Sequence, residues 1–138
     1  MPPPGVLIVD DDEAICFSLV REVRRQGHPV YVAADGLDAL ERYHAAAGAI
    51  SIAFLDVRMP RLNGLEALAT LCRLNPALRC CLMTAYGRPL QLPSGLANIH
   101  ILEKPFDLEE FVQVLNGLSE QLRVPRETEK ASWTSRGA

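Results

Sequence analysis

The sequence predicts a doubly wound α/β domain: a parallel sheet with helices on both faces. Two observations carry that prediction. Short runs of apolar, β-branched residues alternate along the chain with longer segments whose apolar residues recur at helical spacing. The run Val6 to Val9 is apolar at every position and Ile50 to Leu55 is apolar on both faces, as strands covered on both sides should be. The chain length of 138 residues, with 49% hydrophobic and 22% charged residues, suits one globular domain with a core of its own.

The first run, Val6 to Val9, ends in three acids and reads as a buried strand. From Glu13 to Gln26, Ile15, Cys16, Leu19, Val20 and Val23 share one helical face, and Gly27 closes the helix. His28 to Ala33 is the second strand. Leu37 to Ala47 is the second helix, with Leu37, Leu40 and Tyr43 or His44 inward. Ile50 to Leu55 is apolar on both faces, as a central parallel strand should be. Gly64 to Leu74 is a helix with Leu65, Leu68, Leu71 and Cys72 on its face. Leu78 to Met83 and Ile99 to Leu102 are two further strands. In the last helix, Leu108 to Leu122, Leu108, Phe111, Val112, Leu115 and Leu122 face inward, and Asp107 and Glu110 stand at capping-box spacing before it. The segment from Arg123 to Ala138 has no apolar period and reads as a flexible tail or the start of a linker. It is too short for a DNA-binding domain.

Composition narrows the function. Fourteen basic against seventeen acidic residues give a net charge of −3, which is no footprint for nucleic acid or an anionic membrane. No stretch approaches the roughly 18 apolar residues of a membrane helix. The N-terminus MPPPG lacks the basic region and long apolar core of a secretory signal, and Met1 reads as a true start. Cys16, Cys72, Cys80 and Cys81 form no CxxC, and adjacent Cys80 and Cys81 lie in an apolar run as small hydrophobes. A reduced, cytoplasmic protein is expected.

In open α/β sheets, ligands bind beyond the carboxyl ends of the strands. Those ends carry Asp10, Asp11 and Asp12 after the first strand, Asp56 after the third, Thr84 after the fourth and Lys104 after the fifth. Each has an ordinary structural reading. Asp12 is a plausible helix N-cap, an aspartate often ends a strand, and threonine suits strands. Together they are harder to explain that way. Carboxylates about 4 Å apart repel by roughly 4 kcal/mol at an effective dielectric near 20. One lysine does not neutralise them, and an all-oxygen set with room for water suits Mg²⁺. The basic residues divide into 12 Arg and 2 Lys, with Lys130 in the tail, so the folded part holds a single lysine. A compact ammonium suits a phosphoryl oxygen.

The segments VLIVDDDEAI, FLDVRMPRLNGLEAL, CLMTA and ILEKPF, four motifs in order between Val6 and Leu122, resemble the receiver domain of two-component response regulators. The resemblance implies a flavodoxin-like five-stranded sheet in the order 2-1-3-4-5. It makes residues 1–122 the receiver and 123–138 the tail. Asp56 matches the phosphoacceptor. Asp10 and Asp11, with Asp56 and the backbone carbonyl of Arg58, match the groups that hold Mg²⁺. Lys104 matches the lysine that pairs with a phosphoryl oxygen, and Thr84 the hydroxyl that turns toward it on activation. Small Ala85 leaves the phosphoryl group room. Asn63-Gly64 offers a position tolerant of positive φ after Asp56, and the Lys104-Pro105 bond resembles one that is cis in the family.

By the same resemblance, the donor is a phosphohistidine on a histidine kinase or histidine phosphotransfer protein. The output is a changed surface for a downstream protein, and the chain is not a turnover enzyme. His28, His44 and His100 have no motif around them. The stretch YGRPLQLPSGLANIH departs from the family: Pro89, Pro93 and Gly95 predict a fourth helix that is shortened or irregular. Ile101 stands where receivers often carry a switching Tyr or Phe. Tyr86 and Arg58, bulky and near the phosphoryl group by analogy, are expected to slow attack by water. Two other classes share some of these parts. A haloacid-dehalogenase-like phosphatase would use the DxD within Asp10-Asp11-Asp12 but leaves Asp56 unexplained. A binding module could keep the fold and signal without phosphate.

Overall fold

The computed structural model describes residues 3–58, 63–85 and 99–123. Its elements are β1 (Gly5–Val9), α1 (Glu13–Arg25), β2 (Val30–Ala33), α2 (Gly36–Ala45), β3 (Ile50–Asp56), α3 (Gly64–Leu74), β4 (Arg79–Ala85), β5 (His100–Lys104) and α4 (Leu108–Arg123). The strands form one parallel sheet, as the sequence pattern predicts, in the order β2-β1-β3-β4-β5 that the resemblance implies. The segments assigned to an irregular fourth helix and, beyond Arg123, to the tail lie outside the described residues, as do Met1 and Tyr86.

Strand periodicity divides the core in two, because successive side chains point to opposite faces. Val6, Ile8, Ile52, Phe54, Cys81 and Met83 face α1 and α4. Leu7, Val9, Ala53, Leu55, Cys80 and Leu82 face α2 and α3. On the first side Phe54 meets Phe111 of α4 with ring centroids 4.6 Å apart. With helices on both faces, every strand points its carboxyl end toward the same rim.

Local chemistry sets the element boundaries. Asp12 caps α1 by accepting from the amides of Ala14 and Ile15. Gly27, at φ 91°, ends the helix in the left-handed conformation that glycine adopts without strain. The second helix starts at Gly36 rather than Leu37, because the Asp35 side chain accepts from Asp38 N–H. Its inward face centres on Ala39, Leu40 and Tyr43, which leaves Leu37 at 42% exposure and His44 outside. Leu108 is likewise 43% exposed, since it stands in the first turn of α4 above the rim. The second strand begins at Val30, not His28. His28 N–H donates to Val23 O in the turn after α1, and its Nδ1 meets Pro4 O at 2.9 Å.

Asn63-Gly64 is not a positive-φ turn. Asn63 lies at φ −74° and caps α3, its side chain accepting from Glu66 N–H at 2.9 Å. Gly64 is required by close approach instead: a Cβ there would lie 2.0 Å from the carbonyl oxygen of Asp56. The Lys104-Pro105 bond is cis, as expected.

Candidate functional site

Four strand ends build the site. Asp10 follows β1 and is 2% exposed, Asp56 closes β3 at 8%, and Thr84 lies in β4 at 6%. Lys104 is the last residue of β5, in register with Ala85 of β4. Asp11 is exposed beside Asp10. Buried aspartates at strand ends owe their placement to the parallel sheet: the apolar run fixes the strand, and the next residue meets the rim.

The geometry is close. Asp10, Asp11 and Asp56 each offer a carboxylate oxygen, and these three atoms lie within 4.8 Å of one another. Lys104 Nζ donates to Asp10 Oδ2 at 3.0 Å and stands 3.5 Å from Asp56 Oδ1. The other Asp10 oxygen accepts from Asp12 N–H at 2.9 Å, and the Cys16 thiol donates to the Asp10 carbonyl at 3.2 Å. Arg58 is exposed, and its backbone amide donates to the Asp56 carboxylate. Val57 N–H donates to Met83 O, so the chain leaving Asp56 stays tied to β4. The Gly64 backbone passes so close to Asp56 that a Cβ there would meet the Asp56 carbonyl.

Electrostatics show the site under tension. Burial, and then the Asp10 charge, push the Asp56 carboxyl above the usual carboxylate range; Lys104 and the Arg58 amide oppose the rise without cancelling it. Burial alone would pull the Lys104 ammonium down. The hydrogen bond and charge of Asp10, joined by those of Asp56, outweigh burial and hold it above the ordinary lysine value. Three carboxylates thus face one ammonium. Their oxygen-only donors and the excess negative charge fit a hard divalent cation such as Mg²⁺.

Asp10, Asp11, Asp56 and Lys104, four of the rim residues singled out in the sequence, stand at or just beyond strand ends and converge, while Asp12 caps α1. Thr84 ends up inside β4 rather than after it. Ile101 is 47% exposed on β5, at the edge of the sheet. Beside Lys104 a cleft of ≈ 640 Å³ opens between α1 and the start of α4, lined in part by Ile15, Leu19, Ala85, Phe106 and Leu108. Sequence reasoning missed Gly64 as the residue that gives Asp56 its backbone room. Its one signal was a glycine directly after a capping asparagine.

Residues 6–116 match the family described as the response regulator receiver domain. Among relatives, the chain is 33% identical over 131 residues to the response regulator MprA of Mycobacterium avium, covering 94% of this chain and 57% of that protein. It is 29% identical over 119 residues to the sensor kinase CckA of Brucella abortus, covering 84% of this chain but 12% of the kinase. The chain therefore spans little more than half of one relative and a small part of the other. Among solved structures, the Thermotoga maritima response regulator TrrA, determined in complex with Mg²⁺ and BeF, superposes with a TM-score of 0.73 at 26% identity, covering 83% of this chain and 98% of that one.

Proposed function

The chain belongs to the response regulator receiver domain family, and from that premise we propose that Asp56 accepts a phosphoryl group from a phosphohistidine donor with Mg²⁺ held in the acidic cluster. Phosphorylation-dependent switching is the typical function of the family. The observation that carries the assignment to these residues is the convergence of Lys104 Nζ on Asp10 and Asp56, 3.0 and 3.5 Å away. No fold requirement brings an ammonium and three carboxylates to one rim.

A carboxylate oxygen of Asp56 attacks phosphorus while the P–N bond to the donor imidazole breaks, and the imidazole leaves with the bonding pair. The product is an acyl phosphate on Asp56. Asp10, Asp11, Asp56 and the Arg58 carbonyl would hold Mg²⁺, which supplies neutralising charge to the phosphoryl oxygens. Lys104, kept protonated by Asp10, pairs with another of those oxygens. The Thr84 hydroxyl then turns toward the phosphoryl group, and exposed Ala85 leaves it space. The new dianion biases Thr84 and the end of β4 toward a second conformation, changing the surface offered to a downstream protein.

The donor is a histidine kinase or histidine phosphotransfer protein, and residues 1–122 act as the switching unit. One phosphoryl group per chain is transferred and lost, without turnover of a separate substrate. No helix among the described residues is long and apolar enough to cross a membrane, and the −3 charge favours no nucleic acid. Both fit a cytoplasmic protein-to-protein relay.

Acetyl phosphate and Mg²⁺ should give a retarded band for the native chain on a Phos-tag gel. The band should be absent in Asp56→Asn and when the metal is chelated. An unshifted native chain would overturn the proposal and leave a module that signals without phosphate. Sustained turnover of p-nitrophenyl phosphate would place the chain among phosphatases instead.

A further inference from the structure

We infer that the outer face of α1 pairs two copies of this chain, helix against antiparallel helix. Glu13, Phe17, Val20 and Arg24 recur at spacings of four, three and four residues, so they form one stripe about 16 Å long on α1. The stripe meets solvent. Phe17 is 71% exposed, Val20 is half-buried, and Glu13 and Arg24 are exposed. Among the described residues neither the Glu13 carboxylate nor the Arg24 guanidinium has an ion pair, whereas neighbouring Arg25 is held by Glu22 at 3.6 Å. A groove of ≈ 400 Å³ runs among Phe17, Val20, Arg21, Arg24 and Arg25.

The order of charge names the occupant. An acid at one end, two apolar side chains in the middle and a base at the other end complement the same stripe turned end for end. A two-fold axis between Phe17 and Val20 sets Glu13 against Arg24 of the partner subunit and Phe17 against Val20 of the partner subunit, and the symmetry repeats each contact. Glu13 and Arg24 each stand four residues beyond one of the apolar pair, so both charge pairs form in a single register. A helix dipole also favours an acid in the first turn and a base in the last, but it gives no reason for an exposed phenylalanine between them. A membrane surface or a nucleic acid would need basic charge along the whole stripe, and this one carries both signs.

The surroundings leave room for a second helix. The cleft beside Lys104 is lined by Ala14, Ile15, Ser18 and Leu19 on the flank of α1 that meets the start of α4. Helical geometry turns the stripe away from that cleft, to the side of the edge strand β2. Val32, in register with Ile8, lies on the α1 face of β2 with 38% of its surface exposed and adds apolar area on that side. Pairing through the stripe therefore leaves the cleft beside Lys104 open. A contact two or three turns long falls short of the roughly 1,200 Å² that standard interfaces bury, so the pair is weak and forms as concentration rises.

The test follows the mass of the full chain by sedimentation equilibrium, with a thiol reductant present, from about 10 μM to about 1 mM. The expected result is a rise from 15.2 kDa toward the mass of two chains. Glu13→Arg leaves arginine at both ends of the stripe and Arg24→Glu leaves glutamate at both, so each variant alone should associate at least about tenfold more weakly. Mixed in equal amounts, the two variants bring opposite charges together at both ends and should recover association as a one-to-one pair. Phe17→Ser should weaken the native pair by a similar factor. A native chain that keeps the mass of one copy at every concentration, association that none of the three substitutions weakens, or a mixture that associates no better than its separate variants would each overturn the inference. Circular dichroism checks that the variants are folded, and the native-chain measurement stands even if one is not.

Discussion

At the scale of single residues, Asp56 carries an internal cost that the fold tolerates for its chemistry. Its carboxyl is raised by burial and by Asp10, so ionising it in the native state costs more than in the unfolded chain. The sign follows directly. A raised folded pKa contributes stability below the unfolded carboxylate value, and that stability is lost as pH rises through the raised value. Metal-free Asp56→Asn should therefore melt higher than the native chain at about pH 7, by roughly 2–5 °C for a domain of this size. The difference should vanish near pH 3, where Asp56 is protonated in both states. Thermal melts in chelator at several pH values check this, and equal melting at neutral pH would refute the picture of a strained carboxylate. Gly64 is the second residue whose role is set by its neighbour. A Cβ 2.0 Å from Asp56 O must displace that backbone. Gly64→Ala should cost about 2–3 kcal/mol in urea unfolding and slow labelling of Asp56 by acetyl phosphate, whereas the same change at exposed Gly117, with nothing within 4 Å, should do neither.

At the scale of elements, the chain is legible wherever one local rule governs. Nine runs of apolar periodicity match the nine elements among the described residues, and α3 begins and ends where the spacing places it. Boundaries shift where a side chain outside the periodic run takes control. Asp35 starts α2 one residue early, Pro29 and the His28 hydrogen bonds delay β2, and pairing with β5 extends β4 through Thr84 and Ala85. The exposed Leu37 follows from the same cause, since a helical face is set by what packs on it. Rim residues were legible because strand ends in a parallel sheet coincide in space. The Gly64 contact was not, because it depends on how the start of α3 lies against the end of β3, which no local spacing encodes. Capping offers the test of local control. Asn63→Ala removes the bond to Glu66 N–H at the start of α3 and should cost about 1 kcal/mol. The structure also ties that cap to the site through Gly64, so its loss should slow phosphoryl uptake at Asp56 more than removal of the Asp107 cap of α4, whose side chain accepts from Glu110 N–H at 2.8 Å.

At the scale of the whole molecule, the acidic rim ties folding to its cation. Asp10, Asp11 and Asp56 come from two strands separated in sequence by the whole of α1, β2 and α2, so the cluster exists only in the native state. A ligand that binds only that state adds RT ln(1 + [L]/Kd), about 2.7 kcal/mol at a hundredfold excess over Kd. Mg²⁺ should therefore raise the native melting temperature by about 8 °C. Asp11→Asn, which keeps the buried Asp10–Lys104 pair intact, should lose most of that rise. Protons compete for Asp56 more strongly than for an ordinary aspartate because its carboxyl is raised. The Mg²⁺-dependent rise should consequently shrink as pH falls from neutrality, and begin to do so at a higher pH than an ordinary carboxylate would allow, while Ca²⁺, larger and demanding more ligands than this rim supplies, should raise the melting temperature less at equal concentration. A rise that is the same in Asp11→Asn would place the cation elsewhere on the surface. A rise that does not change with pH would mean that Asp56 is not among its ligands.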